Sequence, residues 1–120
     1  MEDLLSKLKI WTAPDRSLRA SFDEPAEPRG VMLAQFIESD VQSNLPYLSE
    51  MISAISKLKG MSLKEWEMTG NAFTLSLQPQ GALLQNAIPG FEDQISRYTL
   101  DELHQAITRA TEVIHAAGNK

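Results

Sequence analysis

The chain predicts a single α+β domain over residues 1–120, with an antiparallel four-stranded sheet (ββ-α-ββ-α) and two helices packed on one face. Three observations carry this. Two segments alternate apolar and polar residues around a tight turn, the pattern of a hairpin. A long apolar stripe at helical spacing lies between them. A capping box opens a second helical stripe after the second hairpin.

In the first hairpin, Leu8, Ile10 and Thr12 alternate with Lys7, Lys9 and Trp11. Leu18, Ala20 and Phe22 then alternate with Ser17, Arg19 and Ser21. Ala13-Pro14-Asp15-Arg16 joins them, with proline second, where its fixed φ already suits a turn. A rival pattern is a short helix from Asp3 to Trp11 carrying Leu4, Leu5, Leu8 and Trp11, and residues 1–6 are expected to be helical or frayed. Asp23–Gly30, DEPAEPRG, reads as a loop, because two prolines and a glycine interrupt any period.

Leu33, Ile37, Val41, Leu45, Leu48, Ile52 and Ile55 follow at steps of 4, 4, 4, 3, 4 and 3, flanked by Phe36 and Met51. Pro46 falls inside this stripe. Proline removes a backbone donor and clashes with the preceding turn. The expectation is one long helix kinked near Pro46, or two helices in line with Asn44 capping the second. Gly60 is expected to end it in a left-handed backbone conformation. Ser62-Leu63-Lys64-Glu65 has the form of a capping box, but strand periodicity starts almost at once and outweighs it.

Trp66 and Met68 share parity, and after Gly70 so do Phe73, Leu75 and Leu77. Gln78-Pro79-Gln80-Gly81 has type I turn chemistry, and Leu84, Asn86 and Ile88 alternate on the returning strand. Trp66–Asn86 thus reads as the second hairpin. Ala87–Tyr98 reads as a loop, long for a compact domain and thus either functional or locally ordered by Phe91, Ile95 and Tyr98. Thr99-Leu100-Asp101-Glu102 is a capping box, and Leu103, Ile107, Ala110 and Ile114 form the stripe of a helix ended by Gly118.

Acidic residues outnumber basic ones 16 to 11, for a net charge of −5. Phosphates demand a net basic surface, so nucleic acid is a poor partner and a basic protein a better one. With 42% hydrophobic residues the chain can build a core, and without cysteine that core rests on packing alone. The start, MEDLLSKLKIW, lacks the apolar run of a secretory signal, and no stretch approaches the ~18 apolar residues of a membrane span. A bacterial-type cytoplasmic location is the expectation, with no membrane association.

No glycine-rich phosphate loop and no zinc-like spacing is present in the sequence. His104 and His115 lie eleven residues apart on one predicted helix, about 16 Å along its axis. That is too far to share a metal, and each reads as an ordinary boundary histidine. Asp101 and Glu102 answer the positive end of the helix dipole. Glu65 and Glu67 alternate with Trp66 and Met68, which puts them on an outer strand face. Glu92-Asp93 in the long loop is the favoured contact pair, because loops carry recognition more often than framework does. Lys7, Lys9, Trp11 and Arg19 would share a face of the first hairpin, as a nucleic-acid platform or, more simply, as charged edge protection. No catalytic, metal, cofactor or small-molecule site is indicated, so no enzyme is expected.

From about Gly30 to Asn86 the chain resembles the YacL family of small bacterial proteins. Asn44-Leu45, Leu48, Glu50, Leu58-Lys59-Gly60, Ser62, Trp66, Gly70, Thr74-Leu75 and Asn86 carry the resemblance, with WxxxGxxFTL its most specific part. Pro46 and the longer loop before Thr99 depart from it. A looser similarity, in Leu84-Gln85-Asn86 and the helix over 99–117, is to immunity proteins of bacterial contact-dependent toxin systems. That resemblance implies a non-enzymatic, acidic, cytoplasmic domain that neutralises a basic toxin, with Glu65, Glu67, Glu92 and Asp93 as an acidic contact surface. A housekeeping protein of the YacL type and a small acidic secretion chaperone are the alternatives.

Overall fold

The computed structural model describes residues 4–23 and 28–118; Asp3 and residues 24–27 of the expected loop lie outside the described residues. The fold is α+β with antiparallel sheets. Leu4–Lys7 form a short 3-10 turn, and the strand reading holds from Leu8: β1 (Leu8–Thr12) pairs with β2 (Leu18–Phe22). The Arg16 amide donates to the Ala13 carbonyl at 2.8 Å, and Arg16 sits at φ 71°, the left-handed position after a type I turn. Asp15 accepts from the Ser17 hydroxyl at 2.6 Å and the Ser17 amide at 2.9 Å. Those two bonds hold its carboxyl below the usual range, the hydroxyl more than the amide.

Helix α1 spans Pro28–Phe36, so it begins inside the segment expected as loop. Proline is tolerated in a first helical turn, where its missing donor has no intrahelical partner to lose. Gly30 is fixed by packing: a Cβ there would come within 2.3 Å of the Phe22 ring. Helix α1 runs into a π-helical turn, Ile37–Val41, and the chain breaks direction at Gln42, where φ is 47°. Helix α2 (Leu45–Lys59) then starts afresh, with Asn44 accepting from the Tyr47 amide at 3.1 Å and Pro46 in its first turn. The single kinked helix is therefore replaced by the second expectation, a new helix capped by Asn44. The π turn also seals the free edge of β2. Glu38 accepts from the Ala20 amide at 2.9 Å, and Gln42 exchanges bonds of 3.3 Å with the Leu18 amide and carbonyl.

Gly60 does not take the left-handed role expected of it; its φ is −83°, and Met61 takes that role at φ 63°. The Met61 amide donates to the Leu58 carbonyl and the Ser62 amide to Lys57, the paired bonds of a Schellman ending. A methionine held left-handed is strained by about 1 kcal/mol. Because Met61 is 74% exposed, Met61→Gly forfeits no packing and is expected to raise stability by about 1 kcal/mol, read as a higher urea midpoint. An unchanged or lower midpoint would contradict this account of the helix end.

The four-stranded antiparallel sheet has the order β3-β4-β5-β6, and the first hairpin stands apart as a two-stranded sheet. Strand β3 is Trp66–Thr69, β4 Phe73–Gln78, β5 Gly81–Asn86 and β6 Ile95–Tyr98. Trp66–Leu77, expected as one side of a hairpin, is itself a hairpin turning at Gly70–Ala72. Residues Ile95–Tyr98, expected as loop, pair with β5 from Gln85↔Ile95 to Ala82↔Tyr98. One sheet face carries Phe73, Leu75, Leu77 and Leu84 into the core. Helices α2 and α3 (Leu100–Gly118) pack on this face and on each other, through Leu48, Met51, Leu58, Leu103, Ile107 and Ala110. Both bonds of the Thr99–Glu102 capping box form, at 2.9 Å each.

Two arginines tie these parts together. Arg29 on α1 donates to the Arg97 carbonyl at 2.8 Å and to Glu102 at 2.7 Å, with its guanidinium 5.2 Å from the Tyr98 ring centroid. Arg109 on α3 donates to the Leu5 and Leu8 carbonyls at 2.8 and 2.9 Å.

Candidate protein-binding surface

Asn86 ends β5 as one of the few buried polar residues, and it organises the loop that follows. Its amide nitrogen donates to the Gln94 side chain at 3.0 Å, and its oxygen accepts from the Ile88 amide at 2.9 Å. Two tight turns continue from there, with the Phe91 amide bonded to the Ile88 carbonyl and the Gln94 amide to the Phe91 carbonyl, each at 3.0 Å. Gly90, at φ 94°, supplies the left-handed backbone that the third position of the first turn requires. The Glu92 carboxylate accepts from the Gly90 amide at 3.0 Å, and its carbonyl accepts from Gln85 at 2.8 Å.

This hydrogen-bonded loop presents apolar side chains to solvent. Ile88, Phe91 and Ile95 are 43%, 49% and 48% exposed. The expectation that Phe91, Ile95 and Tyr98 order the loop from inside therefore holds for Tyr98 alone; backbone and Asn86 bonds order the rest. Glu92 and Asp93 stand between Phe91 and Ile95, both exposed.

Two hollows flank the loop. The larger, about 570 Å³, lies between β2, the end of α1 and the sheet, lined by Arg19, Gln35, Glu38, Phe73, Ile88 and Phe91 among others. The smaller, about 380 Å³, is lined by Val31, Met32, Asp93 and Ile95, and shares Gln35 and Gln94 with the first. Apolar rim, carboxylates and amide side chains thus form one continuous surface along α1 and the β5–β6 loop.

The sheet register separates the four predicted acidic contact residues. Glu65 and Glu67 flank Trp66, which pairs with Leu77 on the edge strand β3. Glu92 and Asp93 follow the Phe73↔Asn86 end, beside the opposite edge. The two pairs occupy diagonal corners, about 20 Å apart from strand spacing and rise. The four therefore stand as two separate pairs rather than one cluster. Glu67 lies on the outer face as expected and accepts from the Ser76 hydroxyl at 3.2 Å.

In the first hairpin Trp11 and Arg19 are direct cross-strand neighbours and share a face. Lys7 precedes the strand, and Lys9 pairs with Asp23 at 3.3 Å, so the basic row is broken. His104 is half-buried and His115 exposed on α3. Among the described residues, no group of three or more metal-ligating side chains converges, and no helix is long and apolar enough to cross a membrane. No protein-family model, curated protein or solved structure matches the chain.

Proposed function

We propose that the chain is a non-enzymatic protein-binding domain, and that it acts in the bacterial cytoplasm as an immunity protein neutralising a contact-dependent toxin. One observation supports this most: Ile88, Phe91 and Ile95 stand exposed on a hydrogen-bonded loop, with Glu92 and Asp93 set among them. Exposed apolar residues held in place are the usual anchors of an interface, because little ordering entropy remains to be lost on binding. Carboxylates around such anchors favour a basic partner and speed its approach. Glu65 and Glu67, at the far corner, add to the long-range field.

The test is co-expression with a toxin domain encoded directly upstream of this gene. The expected result is a one-to-one complex and survival of the host. Phe91→Ala is expected to weaken the complex at least about 30-fold, the scale of an aromatic hot spot, while leaving the unfolding midpoint nearly unchanged. Absence of any complex at low salt would end the immunity reading. The groove of about 570 Å³ also supports the chaperone alternative, which requires an apolar site for an unfolded client. That alternative predicts binding of several unfolded segments and no preference for one folded toxin.

A further inference from the structure

A second cleft, about 410 Å³, opens on the other side of the π turn, between the start of α2 and the β3–β4 turn. Asp40, Asn44, Tyr47, Glu50, Thr69 and Asn71 line it, with Met68 and Pro46 as apolar walls, and neither lysine nor arginine takes part in the lining. Among the described residues, neither Asp40 nor Glu50 has an ion-pair partner. Asp40 accepts from the Ala72 and Phe73 amides and the Ser39 hydroxyl, all neutral donors, so its carboxylate is held in place with no cation beside it among the described residues.

An independent observation comes from Tyr47. This residue is only 8% exposed, stacks on Trp66 with ring centroids 6.4 Å apart, and has a buried hydroxyl with no hydrogen-bond partner among the described residues. Its phenol is pushed up to about 12, first by burial and then by the charges of Asp40 and Glu50. Leaving a buried hydroxyl unpaired is costly, and here it lies within the field of two carboxylates that line the same cleft.

We propose that this cleft receives an arginine side chain of a protein partner. Its acceptors lie on α2, on the π turn and on the β3–β4 turn, and therefore approach from different directions. A planar guanidinium has five donors in a fixed fork and no acceptor, which matches such a ring of acceptors better than the point charge of lysine. The proposal deepens the reading of a basic partner and rests on it only for which protein carries the arginine.

The probe is N-acetyl-arginine amide, titrated against the intact chain while following Trp66 fluorescence and the amide signals of Gly70 and Asn71. Saturable binding confined to these signals is expected. N-acetyl-citrulline amide, with the same shape and no charge, should not bind. Exposed Glu50→Gln is expected to weaken binding about fivefold without unfolding the chain. Tyr47→Phe should weaken binding while stabilising the fold, a combination that a purely structural role would not give. Equal binding of citrulline or N-acetyl-lysine amide, or a Glu50→Gln variant that binds as tightly, would overturn the assignment. The probe needs no toxin, so a failed complex with the upstream protein and a failed arginine site are separate results.

Discussion

Asp40→Ala is expected to lower stability by about 3 kcal/mol, a large part of what a domain of this size has to lose. The Asp40 carboxylate accepts from the Ala72 amide at 2.9 Å and the Phe73 amide at 3.0 Å, both partly buried. Each bond to a charged acceptor contributes about 1.5–3 kcal/mol, and removing the acceptor leaves two donors unmade. The site has no slack, since a Cβ on Gly70 would lie 2.5 Å from the Asp40 oxygen. The same bonds fix the β3–β4 turn to the π turn, so the loss should be cooperative. Urea unfolding reads it as a lower midpoint at constant slope. Asp40→Asn keeps one acceptor and is expected to lose about half as much. A shift under about 1 kcal/mol for alanine would mean that water replaces the carboxylate at little cost.

Tyr47 gives the second large effect, in alkaline solution. Its phenol is pushed up to about 12 in the fold, against 10.0 in a free side chain. The folded state therefore keeps a proton that the unfolded chain releases. Below pH 10 both states are neutral and the full stability is present. As pH rises from 10 toward 12, the unfolded state ionises first and stability falls, in total by roughly 2–3 kcal/mol. Tyr47→Phe should remove this share of the alkaline loss. It should also raise stability near neutral pH by about 1 kcal/mol, because the unpaired hydroxyl is gone. The check is the difference in urea midpoint between the two proteins at pH 8 and pH 11.5. A difference that does not grow with pH would contradict the buried, carboxylate-flanked phenol.

Much of the framework was written locally. Asn44 capped α2 and Thr99 with Glu102 capped α3 because each motif needs only residues three apart. Alternation at Phe73, Leu75 and Leu77 gave the buried face of β4. Strand β6 was hidden because it points the wrong residues inward. Ser96 and Tyr98 are buried while Ile95 and Arg97 face out, and the Ser96 hydroxyl is spent on Met32 at 3.0 Å. Hydrophobic periodicity cannot find such a strand. The π turn left a faint trace. The step of four from Ile37 to Val41 overshoots an ideal α-helix by about 40°, and a wider turn absorbs the drift. At the candidate surface, Glu92 and Asp93 were reached through loop length alone. The exposure of Ile88 and Phe91 was not, since it depends on Asn86 and Gln94 closing the loop. Tyr47 gave no signal at all, because an unmet hydroxyl exists only once its surroundings are packed.

Arg109 has a consequence for the order of events during synthesis. Its guanidinium holds the Leu5 and Leu8 carbonyls, so the first hairpin is anchored by a residue about a hundred positions downstream. At about 5–20 residues per second, the ribosome exposes that hairpin several seconds before its anchor exists. The hairpin can meet α1 and the π turn as soon as residues 28–42 have emerged, but its attachment to α3 waits for the last helix, so its two sides are secured at moments separated by most of the chain's synthesis.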